Sequence, residues 1–328
     1  GDAHAVLEGG SGMIFAASES NLPAHHETSG VFQIAPRSYM RVTLQHGFEC
    51  IGFVQSREHV MSHGRNVAFA ADVICGWSEP DSLNSLIASQ PSKLYVTGPP
   101  TLLQQPSRIA DHPPQSGGLV CENMHSVRLR ASGNHNVSFM EIFFAFCRKL
   151  AVRGETVTLR PHPGGQYVLK NNVALPTNVR LNMLPLYDVN MKGYQFGISA
   201  PSTIIFDMVL AGIPVAVWRD PAGVMDASSY DGLPEISTVG DWLGFERDVR
   251  IRPEMILDRQ EAFLRRLSMP IDPAEVYRRF ARLIVAGLAG DYGERWQAVR
   301  PEAIEASGLA RRQRRAILSH DVLVEARA

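Results

Sequence analysis

Apolar residues in this chain fall into short β-branched runs that stop at glycine, proline or hydroxyl residues, with helically spaced stretches between them. Met13-Ile-Phe-Ala-Ala17 is a short apolar run, followed by a polar, turn-rich segment with His25 and His26. Arg41-Val-Thr-Leu-Gln-His-Gly47 reads as a buried strand ended by glycine. Asn66 to Trp77 passes from helix to strand and closes on Val73-Ile-Cys-Gly-Trp77. Ser78-Glu-Pro-Asp81 has the form of a helix start, running on through Leu86-Ile-Ala88, and Lys93-Leu-Tyr-Val-Thr-Gly98 is a strand closed by two prolines.

Residues 104–117 are rich in Pro, Gln and Ser and end in a Gly pair, the composition of a linker. Beyond them the alternation is cleaner. Leu119-Val-Cys-Glu122 is a strand; Ser138 to Arg153 is an amphipathic helix whose Ser138 and Glu141 have capping-box spacing; Glu155 to Leu159 is the next strand. Phe196 to Ser199 is a strand, Ser202 to Ala211 a helix stopped by Gly212, and Ile213 to Trp218 a strand. Such alternation predicts a parallel sheet with right-handed crossovers. From Thr238 the pattern is helical only, clearest over Asp258–Leu267 and Asp272–Leu288, and Pro301 onward reads the same way.

Composition narrows the field. The 328 residues suit two domains, and a formal net charge of −1 leaves no global field to draw the protein to nucleic acid. No apolar run reaches bilayer length and no secretion-signal pattern is present, so the expectation is a cytoplasmic protein. Cys50, Cys75, Cys121 and Cys147 fit no zinc or redox spacing and read as buried reduced thiols. Gly9-Gly-Ser-Gly12 resembles a linker, so the first dozen residues carry no weight, and further domains in a longer protein are expected.

Candidate chemistry gathers at strand ends. Two stretches lead: Arg160-Pro-His-Pro163, where prolines fix His162 and Arg160 offers a planar fork for phosphate, and Ser199-Ala-Pro-Ser-Thr203, where hydroxyls accompany the N–H groups of a starting helix. Pro201 is expected in the first helical turn. Asp207 follows on that helix, either meeting a basic group or complementing the dipole. Gln45-His46-Gly47, with Glu49 nearby, supplies a histidine that can accept a hydroxyl proton or hold a turn. Glu122-Asn-Met-His125 with Arg128 is either an acid–base and anion-stabilising group or a salt-bridged loop. His59 and His63 are four apart but lack a third metal ligand, and no metal is expected. Trp218-Arg-Asp-Pro-Ala-Gly223 serves equally as a wall of the site or as a surface turn. No P-loop, dinucleotide fingerprint, nucleophile elbow or Asp-x-Asp pair occurs.

As an ordered set, Gln45-His-Gly47, Lys93-Leu-Tyr-Val-Thr-Gly-Pro99, Arg160-Pro-His-Pro163 and Ser199-Ala-Pro-Ser-Thr with Asp207 and Ala211-Gly-Ile-Pro-Val215 resembles the GT-B-type transferases of bacterial surface polysaccharides. That group includes CDP-glycerol glycerophosphotransferases, bacterial sialyltransferases and β-Kdo transferases. The resemblance implies that Arg160, His162, Ser199, Ser202 and Thr203 bind the donor nucleotide; Asp207 is grouped with them as a candidate, and Gln45, His125 and Arg128 are candidate additional site residues. It leaves the catalytic group among Glu122, Glu49 and His46.

The expected fold is therefore α/β and GT-B-like: two Rossmann-like lobes with a carboxyl-terminal helical region. The boundaries fall at 1–116 for a short or truncated acceptor-side lobe, 117–237 for the nucleotide-sugar-binding lobe and 238–328 for the helices. The implied function is transfer of a sugar, Kdo in the first instance, from a CMP-activated donor to a saccharide or lipid-linked saccharide acceptor in capsule or lipopolysaccharide synthesis. The donor is a substrate and no cofactor is expected. The alternatives are CDP-glycerol-type glycerophosphate transfer and a non-catalytic nucleotide- or sugar-binding module. Arg311, Arg312, Arg314 and Arg315 could hold the chain peripherally at an anionic membrane face or simply be a solvated helix face.

Overall fold

The computed structural model describes residues 2–17, 19–85, 90–103, 117–122, 136–163 and 167–289. The chain forms two units, one of residues 1–54, 63–104 and 268–328, the other of residues 55–62 and 105–267. The first opens with helix α1 (Asp2–Leu7), strand β1 (Gly12–Ala16), helix α2 (His26–Ile34) and strand β2 (Tyr39–Leu44). Helix α3 (Arg57–His63) comes next, and its residues through Ser62 belong to the second unit. Strands β3 (Val73–Gly76) and β4 (Leu94–Val96) complete a four-stranded parallel sheet in the order β1-β2-β3-β4. The β-branched and aromatic residues of these runs explain the strands: Val42, Val73, Cys75 and Tyr95 share one buried cluster, Ile74, Leu94 and Val96 the other. No helix forms over residues 66–72, where Ala70 N–H is bonded by the Glu19 side chain instead. At Ser78-Glu-Pro-Asp81 a single helical turn, Pro80–Ser82, gives way to extended Leu83, and residues 86–89 lie outside the described residues.

The second unit contains strands β5 (Gly118–Glu122), β6 (Val157–Pro161), β7 (Val179–Leu181), β8 (Phe196–Ser199), β9 (Val215–Trp218) and β10 (Glu235–Ile236). Its helices are α4 (Asn136–Ala151), α5 (Tyr167–Lys170), α6 (Thr203–Leu210), α7 (Val239–Ile251) and α8 (Pro253–Arg266). All neighbouring strands are parallel, in the order β10-β9-β8-β5-β6-β7. The chain starts in the middle, builds outward through β6 and β7, then returns to the other side of β5. That is the doubly wound order, with its switch point between β5 and β8.

Strand periodicity divides this sheet into two faces. Val120, Leu159, Ile198, Ala216 and Trp218 enter one large core with Phe139, Phe146 and Trp242, whose rings meet edge-on. The alternate residues Cys121, Thr158, Arg160 and Ser199 take the opposite face.

Three local expectations change. The helix expected to begin at Ser138 already includes Asn136, so Ser138 and Glu141 are interior residues and not a capping box. Helix α6 is capped by Ser202, placing Pro201 before the cap and not in the first turn; Gly212, at φ +75°, ends it as expected. The helices after Thr238 do not form one region of their own. Helices α7 and α8 belong to the second unit, and α9 (Pro273–Leu288) returns to the first, where Tyr95 Oη donates to Arg279 O (3.1 Å) and Arg279 Nη1 to Val96 O (2.8 Å). The apolar stripe of α9, Val276, Phe280 and Leu283, joins Val42 and Tyr95 in the first unit's core. No helix of the described residues is long and apolar enough to cross a membrane, and the four arginines at 311–315 lie outside those residues.

Candidate functional site

At the carboxyl ends of β8, β5 and β6, the pairing aligns Ser199, Cys121 and Arg160 in one row across the sheet. Asn182 continues the row beyond β7, its N–H bonded to Leu159 O (2.9 Å). Three residues adjacent in space thus come from segments far apart in sequence. Arg160 is buried, and Nη1 donates to Asn182 Oδ1 (3.2 Å) and Leu184 O (2.7 Å). The guanidinium expected as an open phosphate fork is anchored inside the fold instead. Ser199 is also buried and donates its hydroxyl to Ala200 O (2.7 Å), so it is a strand-end lock and not a presented hydroxyl.

Asp207 reaches this row from α6 and keeps partial exposure. Burial lifts its carboxyl from the ordinary value to about 7, against the opposing pull of Arg160. An acid raised in this way binds more protons folded than unfolded between its unfolded pKa and about 7, so it lowers stability as pH rises across that window. Asp207→Asn is expected to match the parent near pH 4 and exceed it above pH 7 by on the order of 1 kcal/mol. Urea denaturation at both pH values checks this; an equal difference at the two would remove the titration.

His162 follows β6, half-buried, with its N–H on Glu122 O (2.9 Å) and its imidazole shifted below the usual value by burial. Ser202 accepts Ile204 N–H (3.4 Å) at the start of α6, where half-buried Thr203 occupies the first helical position. His162 and the Ser202–Thr203 helix start thus follow the carboxyl ends of two strands of this sheet, β6 and β8. His125 and Arg128 lie outside the described residues.

Glu122 departs from its expected role as acid, base or nucleophile. It is 1% exposed, and Oε1 accepts Tyr167 N–H (2.6 Å) while Oε2 accepts Val168 N–H (3.2 Å). Burial raises its pKa, opposed by those two N–H groups and Lys170. A carboxylate with both oxygens in backbone bonds caps the start of α5.

In the first unit, His46 is exposed just past β2. Gln45, an expected contact, is buried: Nε2 donates to Gly47 O (3.0 Å) and Phe48 O (3.2 Å), and Oε1 accepts Trp77 N–H (2.8 Å). It fixes the backbone that presents His46. Glu49 is half-buried in the same turn. The sequence reading missed Glu19, which is buried after β1 and accepts Thr43 Oγ1 (3.0 Å) and Ala70 N–H (2.9 Å). Its only signal was an acid directly after an apolar strand. His25 is shifted downward by burial and by His46, with Glu19 opposing. His59 of α3, the weak metal candidate, has its Nδ1 2.8 Å from Oγ of Ser56, just before that helix. Among the described residues no group of three His, Cys, Asp or Glu is placed to hold a metal ion.

No protein-family model matches the chain, and no curated protein matches it in sequence. Solved structures do resemble it. The UDP-GlcNAc 2-epimerase of Methanocaldococcus jannaschii, in complex with UDP-GlcNAc and UDP, aligns with a TM-score of 0.54 at 11% identity, covering 87% of this chain and 79% of that one. The Neisseria meningitidis UDP-GlcNAc 2-epimerase, bound to UDP-GlcNAc, gives 0.52 at 11%, covering 84% and 76%. The wall teichoic acid polymerase TagF gives 0.53 at 10%, covering 77% and 70%. At such identities the likeness establishes the fold: this chain has a GT-B-like architecture of two parallel-sheet α/β units.

Proposed function

We propose that the chain is a glycosyltransferase that takes a cytidine-nucleotide-activated sugar, CMP-Kdo first among candidates, and passes it to a saccharide acceptor of bacterial capsule or lipopolysaccharide synthesis. One observation carries the donor assignment. The second unit's switch point is flanked by His162, the α6 start at Ser202–Thr203 and the Arg160–Asp207 pair, with no glycine fingerprint to serve a dinucleotide. The N–H groups and dipole of α6 suit a phosphate, and Asp207 suits a donor hydroxyl. Arg160 acts through the field it sets behind them.

The acceptor chemistry falls to His46. Its imidazole takes the acceptor hydroxyl's proton as the oxygen bonds to the anomeric carbon, and the sugar–phosphate C–O bond breaks with its electron pair leaving on CMP. Reassigning Glu122 as a loop cap strengthens this choice. Glycerol phosphate transfer from a CDP-activated donor is the second reading, supported by the TagF likeness and by the His46 and His162 motifs.

Titration calorimetry with CMP, CDP, UDP and GDP tests the donor class. CMP or CDP should bind at least about tenfold more tightly than UDP and GDP, a difference of about 1.4 kcal/mol. Preference for CDP over CMP favours the second reading, and preference for UDP overturns the cytidine assignment.

A further inference from the structure

Arg160 is bonded only by neutral groups. Its Nη1 donates to Asn182 Oδ1 (3.2 Å) and Leu184 O (2.7 Å). Among the described residues no carboxylate lies within ion-pair distance of the guanidinium. Asp207 meets it through the field and not as a bonded partner. An arginine cannot shed its proton, so burial to 8% exposure leaves a cation without a bonded counter-charge.

One residue builds this arrangement. Asn182 is buried, and its N–H on Leu159 O (2.9 Å) ties it to β6 beside Arg160. Its Oδ1 also accepts Leu184 N–H (3.0 Å), the turn that a side-chain amide makes with the backbone two residues on. Leu184 is the same residue whose carbonyl receives Nη1, so both acceptors of the guanidinium depend on Asn182. Its Nδ2 donates to Tyr194 Oη (3.2 Å). That fixes the amide, because the reversed orientation would set an NH2 group against the guanidinium. An aspartate has the same shape and can accept both N–H groups, but it would neutralise Arg160.

Resting on the reading of the second unit as the donor site, we propose that Asn182 is a positioning residue that holds Arg160 without neutralising it. The surviving positive charge then makes binding depend on the charge of the donor's phosphate. Arg160 stands in one row with Ser199, from which the chain passes to the start of α6. Its field therefore adds to that of the helix N–H groups. A neutral nucleoside gains nothing from this field, a monophosphate gains, and a diphosphate gains more.

Calorimetry of the whole chain with nucleoside, monophosphate and diphosphate, in the cytidine and the uridine series, tests this. The quantity read is the ratio of monophosphate to nucleoside affinity. Asn182→Asp should cut that ratio by about tenfold or more, with nucleoside affinity within about twofold of the parent. Asn182→Ala deletes the same bonds and adds no charge, so it should cost more stability in urea yet keep more of the ratio. A residue that only holds the loop would give the opposite order, with nucleoside and monophosphate weakened together. Arg160→Gln removes the cation itself and should cut the ratio as far as Asn182→Asp, which decides the matter even where the aspartate variant does not fold. An unchanged ratio in Asn182→Asp or Arg160→Gln, or the larger loss in Asn182→Ala, overturns the proposal. A parent protein that binds neither series fails the donor reading and takes the proposal with it. One that prefers uridine fails the cytidine assignment alone, and the ratio is then read in that series.

Discussion

Replacing His46 by Ala is expected to lower turnover by about 10²- to 10⁴-fold, the range over which a positioned base accelerates proton transfer. Nucleotide affinity should be unchanged, because His46 belongs to the first unit and the proposed phosphate contacts to the second. The reasoning starts from local structure. Strand β2 ends at Leu44, Gln45 turns inward to bond Gly47, Phe48 and Trp77, and the next side chain is left exposed at the end of a parallel sheet. A histidine held there loses little entropy when it meets a hydroxyl. Single-turnover assays alongside calorimetry separate the two effects. Full turnover in a folded His46→Ala protein would refute the base; lost nucleotide binding with normal turnover would refute the division of labour.

Glu122→Ala should destabilise the protein by about 3 kcal/mol, since the buried Val168 and half-buried Tyr167 N–H donors lose a charged acceptor and each unsatisfied group costs about 1–3 kcal/mol. His162 N–H bonds the Glu122 backbone carbonyl, so nucleotide affinity should fall with stability. Glu122→Gln keeps one acceptor oxygen and should lose roughly half as much. Any remaining transfer in Glu122→Gln should proceed near the parent rate at saturating donor. A catalytic carboxylate would give the reverse: near-normal donor binding and no turnover. Denaturant melts, calorimetry and the saturating rate together distinguish these outcomes.

Much of the fold was legible in the chain itself. The runs at Arg41, Val73, Lys93, Leu119, Glu155, Phe196 and Ile213 all became parallel strands, because β-branched runs punctuated by Gly and Pro bury on both faces. Two short strands escaped: β7 has three residues and β10 two, too few for periodicity to register. The helix expected at Ser138 begins earlier, at Asn136, so the capping-box spacing of Ser138 and Glu141 falls inside it.

Sequence determined which residue types stand at the strand ends: histidines, hydroxyls and acids where open α/β sheets take ligands. It could not determine what those side chains do. Arg160 and Ser199 turned inward because buried polar groups must be bonded, and Asn182, Leu184 O and Ala200 O, brought close only by strand pairing, were there to receive them. Glu122 became a cap because the chain returns 45 residues later with two unbonded N–H groups beside it. Cys50, four positions from His46, reads in sequence as an ordinary buried thiol, and only the fold sets its sulfur 3.5 Å from the imidazole Nδ1. Residue type sets what a group can donate or accept; only the tertiary fold supplies its partner, and the partner decides between structure and chemistry.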